Sequence, residues 1–478
     1  MTETSVLIIG GGISGLSTAW WLAQQGISVE VWEADDLPGG KIRTTSEAGY
    51  TTERAAGLLV NFRNEIDQMI QQAGLSYSKR LRDETLNRYV VHNSELTQVP
   101  MLMSALLASP LWSLSAKFRL MTEIMIPRSH QEDETVSAFI KRRLGREILD
   151  TAMDPFVSGS LASDPELAEA RSVLPRLKAL EQRYGSLTLG MLINRVLKRR
   201  RANKADIFSF YGGMSELIHA LADTPGVTLR CGMQVESVSK KQDYWQVTAA
   251  HDGHQQQISV PRLVISTPAD IASGLLKSID ESLSQLLSEI EYAPIAVLHL
   301  GIESSRISHP LDGTGFLVSR NNRLNFNGNL WMSRLFPERA PSQNTLLTTY
   351  LGGVRHPEQI DKSDEQLTTQ VLSGLKPLLG INGSENYIRI DRHEKGLPLY
   401  HGQYQARLEK IESRLKRLPG LHLNANYQNG VSVRERIFQG HRLAQKIAVT
   451  LKPGERDMRQ EQPFVLAHYQ AVMNGEHS

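Results

Sequence analysis

Apolar residues along the chain alternate between two periods. Val6 to Ile9 is a continuous apolar run, the pattern of a parallel strand buried on both faces. Leu16 to Leu22 follows a helical period that stops near Gly26, and Ser28 to Trp32 reads as a second strand ending on Glu33. The same alternation resumes after residue 205. Tyr211-Gly212-Gly213-Met214 opens a helix to Ala222, Val227 to Arg230 and Gln234 to Val238 read as strands, and Tyr244 to Ala249 with Gln257 to Val260 reads as a hairpin. Leu263 to Ser266 is a buried strand closed by Thr267-Pro268. Ile295 to Ile302, Gly315 to Val318, Leu324 to Trp331 and Thr345 to Leu351 predict a mixed sheet. Gln403 to Lys416 predicts an amphipathic helix, Leu421 to Leu423 a strand, and Val431 to Leu451 a long helix after the Asn429-Gly430 turn.

The interruption has a different texture. Asn64 to Gly74 predicts a helix, and two short strands flank a turn at His92 to Glu95. Val99 to Ala116 carries no charged residue, yet Pro100 and Pro110 break any continuous helix. This stretch predicts two short amphipathic helices that lie on a bilayer interface or line an apolar entrance, with an ordinary core helix pair as the other reading. Thr135 to Leu149 predicts a surface helix, Asp154 to Glu166 a turn-rich stretch, and Lys178 to Arg195 a helix broken near Gly185. Lys198 to Arg201 is a basic cluster that faces anionic headgroups or solvent.

The expected fold is therefore α/β. A parallel-sheet domain is assembled from residues 1–80, 205–272 and 401–478, a helical lobe spans 81–204 and a mixed-sheet lobe spans 273–400.

The chemistry begins in the first turn. Gly10, Gly12 and Gly15 stand at G-x-G-x-x-G spacing between the first strand and helix. Gly10 permits the turn, Gly12 lets a pyrophosphate approach the backbone, and Gly15 lets helix pack on sheet. The helix N-terminus offers free N–H groups to that pyrophosphate. Glu33, 21 residues past Gly12, suits ribose hydroxyls. Gly39-Gly40 then precedes Lys41, Ile42, Arg43 and Thr44. The glycine pair lets backbone approach the cofactor, and Lys41 and Arg43 can neutralise phosphate.

Composition narrows the rest. The chain has 478 residues, enough for two or three lobes. Its 53 basic and 51 acidic residues nearly balance, which gives no argument for nucleic acid. Cys231 is the sole cysteine, so no intrachain disulfide can form; a reducing, cytoplasmic setting is natural, and the thiol reads as inert packing. No signal peptide is read before the first strand. No metal-ligand set is expected, and nothing fixes the oligomeric state, a homodimer included.

The G-G-[RK]-x-x-[ST] segment at 39–44 resembles the FAD signature of the flavin amine oxidase superfamily. Further segments are similar to the oxygen-using, FAD-dependent protoporphyrinogen and coproporphyrinogen oxidases: DPFVSGSLASDP at 154–165, YGSLTLGM at 184–191, FSFYGGM at 208–214, HPLDGTGFLV at 309–318, LPLYHGQY at 397–404 and LPGLHLNANYQNGVSV at 418–433. The likeness covers nearly the whole chain and implies that the three regions above are a Rossmann-type FAD-binding domain, a mixed-sheet substrate lobe over 273–400 and a helical, membrane-associated lobe over 81–204. It implies FAD contacts from Gly10, Gly11, Gly12, Ile13, Ser14, Gly15, Glu33, Ala34, Gly40, Lys41, Arg43, Ala55, Ala56, Gly57, Leu58, Val235, Val431, Ser432 and Val433. It implies successive hydride transfers from a porphyrinogen to flavin, with oxygen as the final acceptor. Arg88 would pair with a propionate, and Leu317 and Tyr350 would pack against the macrocycle. No general base is implied.

The chain also departs from that pattern. Ala55-Ala56-Gly57-Leu58 stands where the family often has G-P-N-S, and Thr314 replaces a common aromatic. Asn424-Ala425-Asn426 replaces A-G-N, and Arg434-Glu435-Arg436 replaces a more neutral helix start. All cluster near flavin or substrate. They leave FAD binding intact but open two alternatives: a relative that dehydrogenates another reduced pyrrole, pyrroline or cyclic amine, and a flavin- or tetrapyrrole-binding membrane protein without turnover.

Overall fold

In the computed structural model, which describes residues 4–100, 109–129, 131, 133–197 and 205–451, strand Val6–Ile9 is central and all four of its residues are buried. It lies in a five-stranded parallel sheet in the order Val227–Arg230, Val29–Trp32, Val6–Ile9, Arg262–Ile265, Leu421–Leu423. Parallel strands need crossovers, which cover both faces and explain the unbroken apolar runs. One face carries helix Ile13–Ala23, packed in turn against the C-terminal helix Val433–Thr450. The helices touch closely: a Cβ on Gly440 would fall 2.7 Å from Ser17 Oγ. The other face carries the antiparallel sheet Gln234–Lys241, Tyr244–His251, His254–Val260, with Trp245, Tyr404 and Tyr427 buried between. Each large apolar side chain buried here contributes about 1.5–3 kcal/mol.

A seven-stranded mixed sheet builds the second lobe. Its order is Tyr387–Pro398, Tyr292–Glu303, Asn344–Gly352, Gly328–Trp331, Gly313–Val318, Asn87–His92, Glu95–Gln98. One pair is parallel, Gly313–Val318 with Asn87–His92, and the rest are antiparallel. The hairpin at 87–98, within the segment expected to be helical, thus forms the edge of this sheet. No element is expected between Leu351 and Leu397, yet helix Asp364–Leu379 covers one sheet face and Tyr387–Pro398 forms the opposite edge. Leu367, Val371, Leu375 and Leu379 give that helix an apolar stripe at four-residue spacing, and Ser363 with Gln366 forms a capping box. That signal is readable in the chain.

The helical lobe corrects two expectations. Thr135 to Leu149 contains helix Val136–Arg143, but Val136, Phe139 and Ile140 are fully buried rather than on the surface. Asp154 to Glu166, expected to be turns, opens with helix Asp154–Leu161. This helix continues without a break from the π-helical stretch Leu149–Met153, and Pro155 falls just past that change of pitch, where the regular backbone bonding is already interrupted. Gly159 is there for space: a Cβ would lie 2.4 Å from Leu317 Cδ2. Helices Pro175–Tyr184 and Leu187–Leu197 meet at Gly185, as expected. Residues 101–108 of the charge-free stretch and the 198–201 basic cluster lie outside the described residues.

Ions as well as apolar groups hold this lobe together. Arg143 is fully buried and donates to Glu181 at 2.8 Å, Glu123 at 3.0 Å and the carbonyls of Ile126 and Gly185. Glu123 in turn accepts from the N–H groups of Leu187 and Thr188, both at 3.0 Å, so it caps the helix that starts there. Lys178 closes the network between Glu134 and Glu181. Removing one member strands buried charge. Arg143→Ala is expected to cost about 3–5 kcal/mol, read as a lowered midpoint in chemical denaturation; a midpoint unchanged from wild type would contradict this account of the lobe.

Candidate active site

Strand Val6–Ile9 ends on Gly10, and the chain turns into helix Ile13–Ala23 across Gly11 and Gly12. The glycines here do two different jobs. Gly10 and Gly15 serve packing: a Cβ on Gly15 would lie 2.0 Å from Gly10 O, and one on Gly10 would lie 3.1 Å from the Ser266 backbone. Gly12 has an ordinary φ of −76°, and a Cβ there would meet nothing within 4 Å. Gly40 is similarly open, its nearest neighbour being Gly12 Cα at 3.7 Å. Open space over two unbranched backbones, at a helix start that no side chain caps, is what a pyrophosphate needs.

Glu33 closes the nucleotide end. Its Oε2 accepts from Gly11 N at 2.6 Å and its Oε1 from Asp35 N at 3.0 Å, which fixes the carboxylate with lone pairs to spare. Met233 N donates to Glu33 O at 2.8 Å, so Val235 lies beside that strand end. Ala34 is exposed next to it. Arg43 pairs with Asp35 at 2.7 Å and donates to the Leu37 carbonyl, and its Nε is buried without a partner. Burial lowers the Lys41 ammonium to about 8, with Asp270 opposing that shift, and its Nζ stands 5.8 Å from the Tyr292 ring centre. Burial also raises the Cys231 thiol, in keeping with inert packing.

The turn 53–58 lies between strands Tyr50–Glu53 and Leu59–Asn61 and holds Ala55, Ala56, Gly57 and Leu58. Three side chains of the seven-stranded sheet tie it down through its carbonyls. His299 Nε2 lies 3.1 Å from Glu53 O, His393 Nε2 lies 2.9 Å from Arg54 O, and Tyr350 OH donates to Ala55 O at 3.4 Å. At the far end, Ser432 caps the C-terminal helix by accepting from Glu435 N, Val433 packs into the core, and Val431 packs against the neighbouring cluster. The residues present therefore fit FAD, from uncapped helix to small-residue turn.

The expected substrate residues share one sheet face. Leu317 pairs with Gly328, Gly328 with Tyr350, and Leu317 also with Val90. Side chains at paired positions share a face, so Val90, Leu317 and Tyr350 form one row across four strands. Arg88, two residues before Val90, lies on that same face at the sheet edge and is exposed. Helix Asp154–Leu161 roofs the row at Leu317. Burial raises Tyr350 well above the usual phenol range, so Val90, Leu317 and Tyr350 are uncharged near neutrality and Arg88 is the cation at their edge. Burial also pulls His299, on the adjacent strand, down to about 4.

Three buried polar residues that hold the turn and its surroundings escaped the sequence reading: Glu53, His299 and Arg339. Glu53 accepts from Met214 N and Thr44 Oγ1, both at 2.8 Å, and pairs with Arg339 at 3.2 Å. Burial pushes its carboxyl up to about 7 against those partners. A lone acid after a strand carries no mark of such burial.

A sequence profile for flavin-containing amine oxidoreductases matches residues 13–448. The chain belongs to the flavin-containing amine oxidoreductase family. It is an FAD-dependent oxidoreductase of that family. The curated relatives it resembles include the mitochondrial protoporphyrinogen oxidase of Nicotiana tabacum, 29% identical over 95% of this chain and 96% of the relative. They also include the coproporphyrinogen III oxidase of Bacillus subtilis, 26% identical over 91% and 96%. A crystal structure from Exiguobacterium sp. 255-15 shares the fold at TM-score 0.79 and 21% identity, covering 94% of this chain and all of that one.

The two classes of glycine separate by mutation. Gly12→Ala should keep the melting temperature of the flavin-free protein yet fail to take up flavin, whereas Gly15→Ala should lower the melting temperature of the flavin-free protein. Retention of full flavin by Gly12→Ala would remove the pyrophosphate from this turn.

Proposed function

We propose that this chain oxidises a porphyrinogen to a porphyrin, with FAD held along the Gly10–Gly15 turn and oxygen as the terminal oxidant. The observation that carries the reading is the row formed by Arg88, Val90, Leu317 and Tyr350, tied through Tyr350 to the turn that fits beneath a flavin. The curated relatives named for porphyrinogen oxidation support it. Bound FAD supplies a two-electron acceptor. The protein's part is to bind and orient. An apolar disc lies on the row, while the Arg88 guanidinium forks onto a carboxylate arm. Helix Asp154–Leu161 excludes water above Leu317. Each two-electron round removes a hydride from a methylene bridge and a proton to solvent. Three rounds complete the porphyrin.

The turn Ala55-Ala56-Gly57-Leu58 lacks the family's asparagine beside the reacting carbon, and this favours a second reading, a smaller reduced pyrrole or cyclic amine. A silent flavin or tetrapyrrole binder would share the same row. Anaerobic mixing separates the three. Protoporphyrinogen or coproporphyrinogen should bleach the flavin; bleaching by a pyrroline alone would support the second reading, and bleaching by nothing the third. Arg88→Ala should raise KM for the carboxylate substrate about tenfold, as the loss of a charge-assisted hydrogen bond predicts, with kcat changed little.

We place helix Leu114–Met121 at a bilayer interface. Leu114, Phe118 and Met121 repeat at helical spacing and are 83%, 68% and 69% exposed, and Met125 continues the face at 80%. Ser113 caps the helix and sets where that face begins. Among the described residues no helix is long and apolar enough to cross a membrane. Replacing Leu114, Phe118 and Met121 together with Ser should abolish flotation with anionic vesicles; flotation at the wild-type level would free this face from lipid.

A further inference from the structure

Three guanidinium groups converge on one phenyl ring where the C-terminal helix meets the helical lobe. Arg434 lies 4.1 Å from the Phe62 ring centre, Arg176 4.4 Å and Arg63 5.9 Å. They come from separate elements. Phe62 and Arg63 form the turn before helix Asn64–Gln72, Arg176 opens helix Pro175–Tyr184, and Arg434 opens helix Val433–Thr450.

The charge does not balance. Glu435 serves both Arg63 and Arg434, each at 3.0 Å. Arg176 is exposed and has no carboxylate partner among the described residues. Arg63 Nε is buried without a hydrogen-bond partner. Three cations thus share one anion. Like charges this close repel, and an excess of two positive charges persists where an anion can answer it. Arg176 and Arg434 stack on Phe62 and Arg63 stacks on Phe438 at 3.7 Å, which holds the cluster in place; the Arg176 fork stays open while Arg63 and Arg434 spend part of theirs on Glu435 and the Val60 carbonyl. The polar cavity of about 370 Å³ beside Arg320 and Arg355 has no such excess, because Asp154 and Asp164 pair with its arginines.

The cluster also borders the redox centre. Phe62 follows Leu58 by four residues, Arg434 follows Val433 directly, and Arg434 donates to Val60 O at 2.8 Å. Arg88 belongs to the sheet wall, whereas this cluster belongs to the cofactor-domain wall and the helical lobe.

We propose that Arg63, Arg176 and Arg434 form a second carboxylate-binding site for the tetrapyrrole, distinct from Arg88, so that the protein selects the porphyrinogen with more carboxylate arms. The site rests on the porphyrinogen reading above. With two separated cationic sites, a tetracarboxylate can be held at two edges, while a dicarboxylate with adjacent arms engages one.

Product porphyrins are unreactive probes for this. The flavin-loaded protein is titrated with coproporphyrin III, a tetracarboxylate, and protoporphyrin IX, a dicarboxylate, at fixed ionic strength, with porphyrin fluorescence as the readout. Arg176→Ala and Arg63→Gln should weaken coproporphyrin III about five- to tenfold and protoporphyrin IX less than about twofold, while Arg176→Lys recovers part of the loss. Flavin absorbance and melting temperature report folding. Should Arg63→Gln shed its flavin, Arg176→Ala decides alone, because its side chain is exposed and lies on the helical lobe, over Phe62. Equal losses for both porphyrins, or none, overturn the second site while leaving the porphyrinogen reading standing. Failure of the wild type to bind either porphyrin overturns both. Loss of flotation on anionic vesicles with porphyrin affinity unchanged would assign the cluster to lipid headgroups and overturn the proposal.

Discussion

One buried carboxylate joins the pieces of this protein. Glu53 is 3% exposed and takes partners from its own hairpin and from two distant segments: Thr44 beside it, Met214 N, and Arg339. Arg339 is fully buried and donates to Ser209 Oγ at 2.6 Å. Desolvating that pair costs several kcal/mol per ion before any attraction is counted. The arrangement therefore does not earn its place as a source of raw stability. Its consequence is geometric. The residue after this carboxylate begins the turn 54–58, and the backbone of that turn is held by His299, Tyr350 and His393 from the other lobe. Movement of the substrate sheet relative to the cofactor turn would break ion pair and straps together. A slot between two lobes can only position a reacting carbon if its walls keep register, and these contacts are what keep it.

The rest of the site follows from backbone chemistry rather than special side chains. A parallel sheet sends its strand ends to one edge, where the helix start, the Gly39-Gly40 turn and the C-terminal helix meet. Nitrogen–hydrogen bonds at an uncapped helix start need an acceptor, and a phosphate is a good one. Protonation states agree with this division of labour. His299 is held neutral by burial, and its two ring nitrogens are used on Thr348 and the Glu53 carbonyl. A group so committed is a strut. Hydride chemistry on a porphyrinogen asks for position and water exclusion more than for a base, and the uncharged row of Val90, Leu317 and Tyr350 suits that demand.

Legibility in the sequence tracked how local each signal was. The Val6–Ile9 strand, its glycine turn, Glu33 and the C-terminal helix were all readable, because period and spacing within about forty residues determine them. The seven-stranded order was not, since Asn87–His92 pairs with Gly313–Val318 across more than two hundred residues of chain. Asp154–Leu161 was misread because its Pro, Gly and Ser resemble breakers. Each has a place in the helix: Pro155 just past the π-helical stretch Leu149–Met153, Gly159 against Leu317, and Ser158 back to the Asp154 carbonyl at 2.9 Å. Val136–Arg143 was misplaced on the surface because its charges look solvated, whereas Arg143 is sealed by Glu123 and Glu181. Burial of a charge leaves no local trace, so every such error fell on a charged or breaker residue.

The helical lobe shows why those buried charges matter beyond its own fold. Its apolar core is small, and helix Leu114–Met121 turns a row of large apolar side chains outward instead of adding them to it. Hydrophobic burial is non-directional and would let short helices slide or settle inward. Arg143, with four acceptors at fixed angles, ties the segment after that helix, through Glu123 and Ile126, to Gly185 and Glu181. Directional bonds of this kind set where each helix stops. The same lobe holds Gly159 over Leu317 and brings Arg176 to Phe62. An outward apolar face, a roof over the row and a cationic rim thus depend on one ionic core, whose directional bonds hold short helices in place where a greasy core of the same size could not.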